Sequence, residues 1–492
     1  LSNKREEMDM RVNYRENVTP CYQVLSEDQI EEILSGSLEV LERVGVKIHD
    51  EKAVELLKNE GAYTTDGLLV KIPPFMVKRA LTTSPGRIVL AGRDGRRDVV
   101  LEKDRIYFGT GSDCPFFVDP YTGKRRKTVF DDVVNAARVS DALPNIDFFM
   151  SLGLVSDVPR KPYDRHQFLA MTLGTTKPLV ITAVDGQGLT DQFEMACIVV
   201  GGRENFRQNP LFAIYAEPSS PLVHSKEAVE KVIIAAEEGI PIVYVPAPSA
   251  GGTAPVTLAG VLVEGLADTL TGLVISQLKS QGAPFIMGGV FTTLDMRTAV
   301  FSYGAPELLL LDAALTDISK KLGIPVFSTA GCSDAKELDQ QAGLEAGLSI
   351  LMAAQSGANL IHDVGYLESG LLGSLDMLVL SDEAISMVKR IMSGISVNQE
   401  TLAVDVISRV GPGGHFLDDE HTISHFKKEI WIPGLIDRSN LEDWDKAGRK
   451  SMGDRARQRV HQILETHQAQ PLEEKMVQEL KAIIARADEK YA

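Results

Sequence analysis

Residues 211–245 read LFAIYAEPSSPLVHSKEAVEKVIIAAEEGIPIVYV. The first six form an uninterrupted apolar run that stops at Glu217-Pro218. Pro and Ser then mark a loop. Over 226–238 the apolar residues Val229, Val232, Ile233 and Ala236 recur at helical spacing, and Gly239 ends the pattern. Residues 241–245 are a second short apolar run. Strand, helix and strand in this order are the unit of a parallel sheet. Continuous rather than alternating apolar character is expected of strands buried on both faces.

The same rhythm extends in both directions. Strands are expected at 148–155, 179–183, 211–216, 241–245, 284–287, 325–328 and 359–362, with an eighth at 377–380. Helices are expected at 163–173, 190–200, 226–238, 258–280, 305–322 and 338–355. This repetition points to an α/β protein of the (β/α)8 TIM-barrel type. A doubly wound sheet would carry a glycine-rich dinucleotide loop after its first strand, and no G-x-G-x-x-G follows 148–155. Upstream, Ser26 caps an expected helix that Gly45 stops, and a second helix spans 51–60. Short strands at 68–72, 88–91, 99–101 and 106–109 suggest one small sheet layer. The expected division is a mixed α+β cap at 1–140, the barrel at 141–408 and a helical C-terminal extension at 409–492.

Composition narrows the function. The net charge of −17 argues against a nucleic-acid partner, which requires a basic face. The one basic run, 124–127, follows a turn signal and is expected to be a solvated loop. Four scattered cysteines without a C-x-x-C pair suit a reduced, cytoplasmic protein. Residues 1–15 are charged and lack the apolar core of a signal peptide. The longest apolar runs, such as 308–311, are too short to span a membrane.

Barrel chemistry collects where strands end and loops begin. Glu217 stands at such an end and suits a cation or polar substrate, or equally a helix cap or loop ion pair. The small residues of 246–255 can form a backbone anion nest, without the lysine of a phosphate loop. Asp334 and Lys336 suit binding or capping, and Lys336 is the strand-end lysine a Schiff-base enzyme would use. His362 opens a loop after an apolar strand, in a structural or a functional role, with Tyr366 nearby. Tyr107, Phe116, Tyr215, Phe291 and Tyr303 also fall in expected loops or strand ends. Two or three converging rings would cage a quaternary ammonium, although single aromatics are core by default. His421, His425 and Glu429 share a helix face at metal-ligand spacing but lie outside the barrel rhythm; no metal site is expected.

A set of motifs adds to this reading: Leu41-Glu42-Arg43-Val44-Gly45-Val46, Gly331-Cys332-Ser333-Asp334-Ala335-Lys336 with Asp339 and Gln341, Gly411-Pro412-Gly413-Gly414-His415-Phe416-Leu417, His421-Thr422, Trp431-Ile432-Pro433, Trp444 and Gly448. Together they resemble the trimethylamine methyltransferase family, over 29–448. The resemblance implies a barrel whose mouth accepts a corrinoid protein and a methyl transfer from an amine nitrogen to Co(I). It implies no tightly bound cofactor, since the cobalamin travels on the partner. Trimethylamine-specific members carry pyrrolysine, placed near 332–338; ordinary residues fill that stretch here. A quaternary amine is already cationic and leaves as a neutral amine, so the departure fits a quaternary donor. Glycine betaine is favoured, with proline betaine, carnitine and γ-butyrobetaine as alternatives. A betaine-binding sensor on the same barrel is the non-enzymatic alternative. The implied mechanism is in-line displacement, driven by orientation and exclusion of water. In it Tyr107, Phe116 and Tyr366 surround the ammonium, His362 and a backbone nest hold the carboxylate, Glu217 is a nearby anion, and Asp334 contributes to binding. The oligomeric state is left open, a homo-oligomer included.

Overall fold

The computed structural model describes residues 19–491. The charged segment 1–15 lies outside them. Seven strands form one parallel sheet: β1 (Tyr107–Thr110), β2 (Leu179–Ile181), β3 (Phe212–Ala216), β4 (Ile242–Tyr244), β5 (Phe285–Gly288), β6 (Val326–Thr329) and β7 (Leu360–Val364). Their order is β1-β7-β6-β5-β4-β3-β2. The two edges meet across residues 147–149. The Asp147 N–H donates to the Phe108 carbonyl at 2.6 Å, and the Val180 N–H to that of Phe149 at 3.1 Å. Gly109 bridges Phe148, and Phe149 bridges Leu179, both in parallel sense. The sheet therefore curls into a TIM-barrel-like ring.

Two layers explain the unbroken apolar runs. Val180, Ala213, Val243, Ile286, Phe327 and Leu360 pack inside the ring with Phe148 and Met150. Their neighbours Ile181, Phe212, Ile214, Ile242, Phe285 and Ile361 pack outward against the helices. Each strand buries both faces, so sequence alternation disappears while structural alternation persists. The surrounding helices are α1 (Tyr163–Gly174), α2 (Gly186–Val200), α3 (Lys226–Glu238), α4 (Leu258–Lys279), α5 (Pro306–Leu322), α6 (Gln340–Ser356) and α7 (Leu375–Met392). Among the described residues α4 is the one helix long and apolar enough to cross a membrane, and most of it is buried in the protein.

The structure corrects several expectations. Residues 107–110, expected in the cap, form the first strand of the seven-stranded sheet. Residues 377–380 lie inside α7, whose N-cap Ser374 accepts the Met377 N–H at 3.2 Å. The expected small sheet layer is divided among three places. Leu69–Lys71 joins Val46–Ile48 and Tyr63–Thr64 in an N-terminal sheet. Ile88–Leu90 and Val99–Leu101 form a hairpin whose apolar residues plug the base of the ring. Tyr107–Thr110 is barrel. The basic run is no free loop: Arg125–Lys127 pairs with Phe116–Val118, and Arg126 holds Asp119 and Asp132.

The N-terminal sheet also captures part of the barrel. Val223–His224, from the loop after β3, pairs in parallel with Val46–Ile48. Beneath that loop His224 places Nδ1 2.6 Å from the Tyr244 Oη and Nε2 3.3 Å from Asp268 of α4. Ser220 Oγ donates to Asp268 at 3.0 Å. At the other end of the chain, Met452–Thr466 and Glu474–Tyr491 pack on the barrel through Val460, Ile463, Leu480 and Ile483.

Candidate functional site

At the C-terminal end of the strands a cavity of about 350 Å³ opens. Most of its walls are strand ends or the loops after them. Ser112 and Asp113 follow β1, Thr182 and Ala183 follow β2, and Tyr215 and Glu217 close β3. Ala247 follows β4, Val290 and Tyr303 follow β5, and His362, Asp363 and Tyr366 come from β7 and its loop. Tyr163 of α1, Lys231 of α3 and, further along the loop after β7, Ser369 and Gly370 complete the lining.

The end of β7 is irregular. Its pairing with β1 slips between Ile361 and Val364, and Asp363 adopts φ 73°. A bulge of this kind re-aims a side chain, and a non-glycine residue in the left-handed region is stored strain. Here it turns two successive side chains, His362 and Asp363, toward one cavity. His362 Nδ1 lies 2.9 Å from the Ser328 carbonyl, which fixes that nitrogen as the donor and leaves Nε2 as an acceptor. Burial pushes the imidazole down to about 3, so it is neutral. Asp363 Oδ2 is buried without a hydrogen-bond partner. Burial raises the Asp363 carboxyl well above the usual range.

Two further carboxylates face the same space. Asp113 also has positive φ, 62°, and its Oδ1 accepts from Gln167 Nε2 at 2.8 Å and Ser151 Oγ at 3.3 Å. Burial raises both Asp113 and Glu217. Lys231, the one cationic residue in the lining, is pushed down by burial and donates to the Ala183 carbonyl at 3.1 Å. Four tyrosines supply ring faces. Tyr303 and Tyr366 meet edge to face with centroids 6.2 Å apart, and Tyr215 lies 6.4 Å from the His362 ring. Burial raises the hydroxyls of Tyr215, Tyr303 and Tyr366, so they stay protonated. Tyr366 Oη donates to the Ser112 carbonyl. Three carboxyl groups and four tyrosine rings thus share this cavity with one lysine.

Of the residues expected from sequence, His362, Glu217 and Tyr366 come together here. Asp334 stands behind the wall. It accepts from the Tyr303 N–H and Ser369 Oγ, each at 2.8 Å, and from Ser302 Oγ, so it braces the loops that carry Tyr303 and Ser369. Tyr107 does not belong to this group: it begins β1 and lines a separate cavity at the base with Arg97 and Lys177. Phe116 also lies elsewhere, and its face is covered by the Arg125 guanidinium 3.4 Å from the ring centroid. Lys336 is exposed and donates to the Asp334 carbonyl. Glu429 lies 3.6 Å from Arg390, and His425 meets Glu400 at 3.2 Å. Sequence reasoning passed over Asp113, because its strand had been assigned to the cap, and Asp363, because strict alternation points it outward. Lys231 was hidden as a helix residue.

Fold and site together define a TIM-barrel-like ring with a cavity lined by carboxyl groups and tyrosines at the C-terminal end of its strands. The family model for trimethylamine methyltransferase (MTTB) matches residues 2–492, and the chain belongs to that family; it is a methyltransferase. A trimethylamine methyltransferase of Desulfitobacterium hafniense is 34% identical over 95% of this chain and 94% of its own length. One from Methanosarcina barkeri is 33% identical over 94% and 95%. A glycine betaine methyltransferase of Desulfitobacterium hafniense is 30% identical over 95% and 97%. In fold, the chain is similar to the crystal structure of the Methanosarcina barkeri monomethylamine methyltransferase, with TM-score 0.50 and 15% identity over 98% of this chain and 90% of that one.

Proposed function

We propose that this protein removes a methyl group from a small quaternary amine and passes it to a corrinoid carried by a partner protein, with glycine betaine as the favoured donor. The observation that carries the reading is the cavity lining: Asp113, Glu217 and Asp363 with four tyrosine rings around one space. A quaternary ammonium cannot donate a conventional hydrogen bond, so it is recognised by ring faces and by uncompensated carboxylates. Asp363 supplies the latter, with an oxygen that has no partner of its own. Lys231 is the cationic side chain available to a donor's carboxylate, which is the feature that distinguishes a betaine from a simple amine.

The chain's own residues orient and shield. Carboxyl groups at the ends of β1, β3 and β7 hold the ammonium, and the methyl group points out of the mouth. Neutral His362 supplies Nε2 as an acceptor without adding positive charge. No general base is required, because the leaving amine is neutral. A reduced corrinoid supplies the nucleophile. The rim suits a docked carrier: Val256, Met296 and Val300, on the loops after β4 and β5, are exposed apolar residues around the opening.

The test is methyl transfer to free Co(I) cobalamin, followed by absorbance, with glycine betaine, proline betaine, carnitine, γ-butyrobetaine and trimethylamine offered separately. Turnover of glycine betaine above the others supports the reading. Turnover of trimethylamine alone overturns the choice of donor. Binding of betaine with no transfer to any acceptor overturns the enzymatic reading in favour of a sensor.

A further inference from the structure

Beneath the loop that carries Glu217, α4 sets Glu264 and Asp268 one turn apart, so both side chains leave the same helix face. Asp268 is fully buried and Glu264 is 7% exposed. Asp268 gathers donors from the loop. Its Oδ2 accepts from Ser220 Oγ at 3.0 Å and from the Leu222 N–H at 3.4 Å, and its Oδ1 lies 3.3 Å from His224 Nε2. The Tyr244 hydroxyl, which burial keeps protonated, donates to His224 Nδ1 at 2.6 Å and so leaves the Nε2–H toward Asp268. Glu264 has no such support. Neither of its carboxyl oxygens accepts a well-formed hydrogen bond, and Asp268 Oδ1 and His224 Nε2 are also left unsatisfied. A buried carboxylate without donors is costly, and a second one beside it more so.

The surroundings supply no counter-charge. The N-terminal helices packed on α4, within 27–44, 51–59 and 74–83, turn their charged side chains to solvent. On α3, Lys231 faces the functional cavity, Glu227 is exposed, and Glu230, Glu237 and Glu238 pair with Lys226, Lys279 and Arg207. On α5, Asp312 accepts the Thr329 N–H at 3.3 Å and Asp317 the Val24 N–H at 2.9 Å. β4 contributes Tyr244. Among the described residues no three carboxylate, imidazole or thiol groups are arranged to hold a metal ion. A proton is the remaining way to satisfy the pair. Burial and the neighbouring Asp268 push the Glu264 carboxyl up to about 9. Glu264 is therefore the acid at neutral pH, its O–H within reach of Asp268, and Asp268 is the carboxylate that the loop docks on.

We infer that Glu264 and Asp268 hold one proton between them and that this proton fastens the loop 217–224, making both of them positioning residues for Glu217. The role of Glu217 in binding rests on the functional reading above; the fastening of the loop does not. Hydrogen–deuterium exchange of the full chain, read on the peptide covering 217–224, is compared at matched pH between the parent and Glu264→Gln, whose amide cannot ionise. Above about pH 9 the parent's protection should fall relative to the variant by up to about tenfold per pH unit. Over the same range KM for glycine betaine should rise in the parent alone, with kcat little changed. Asp268→Asn removes the charge that opposes ionisation, so in that variant the step should move to lower pH, which loss of a merely structural contact would not produce. Equal exchange in the parent and Glu264→Gln at every pH overturns the inference, as does a step at unchanged pH in Asp268→Asn. A step in exchange with none in KM overturns the positioning role. Both exchange steps without turnover of any amine support the fastening and overturn the functional reading instead. Where one variant does not fold, the other decides.

Discussion

His362 and Asp363 are chain neighbours whose side chains meet inside one cavity: Nε2 of the histidine lies 3.2 Å from Oδ1 of the aspartate. In a regular strand consecutive side chains point to opposite faces. The bulge at the end of β7 breaks that rule and sets a neutral acceptor beside a carboxyl that burial holds in its neutral form.

Cation binding is therefore expected to release a proton from Asp363. The free protein favours the acid, and a bound ammonium favours the carboxylate, so affinity should rise with pH until pH exceeds the carboxyl's value in the free protein. Calorimetry in buffers of different ionisation enthalpy reads the released proton. Asp363→Asn should abolish it and weaken binding at least about tenfold; an unchanged affinity would remove Asp363 from the site.

His362 makes stability depend on pH. An unfolded imidazole takes up a proton near pH 6.5, but the folded one does not until about 3. Its neutral burial thus favours folding above about pH 6.5, and that contribution is lost as pH falls toward 3. In urea melts between these limits, His362→Gln should lose stability less steeply than the parent. Equal slopes would mean that the histidine is not held neutral.

Gly111 leaves room for the site. A Cβ built on it overlaps the ring of Tyr366 and Oδ1 of Asp363. Gly111→Ala should cost about 1–3 kcal/mol in stability and lower kcat/KM more than about 100-fold, since the displaced groups face the substrate. A variant with parental kcat/KM would show that neither group is positioned for the reaction.

Lys231 should separate donors by their carboxylate. For Lys231→Met, KM for glycine betaine is expected to rise at least about tenfold, with much less change for tetramethylammonium. An equal rise for both would remove Lys231 from recognition of the carboxylate.

The barrel was legible because strands buried on both faces leave unbroken apolar runs and glycines such as Gly239 and Gly323 end the helices between them. What failed had local causes. Tyr107–Thr110 contains only one strongly apolar buried side chain, Phe108, and follows two short strands of a hairpin, so it read as their continuation. Residues 377–380 read as a strand because α7 buries almost its whole first half. Glu217, His362 and Tyr366 stand out in the sequence by their position at strand ends, and the structure brings them to one cavity, whereas Asp363 depends on a backbone irregularity that residue types do not announce. Tyr107 and Phe116 were aromatic and near turns, yet one opens a strand at the base and the other is capped by Arg125.

The parallel pairing of Lys47 with Val223 and Ile48 with His224 means that the arm bearing Glu217 is sewn to the opening segment of the described chain. The N-terminal layer is thus no detachable lid. The barrel is not a portable module, and changes along Val46–Ile48 can retune the mouth from a distance, giving donor preference a route to drift that leaves every lining residue in place.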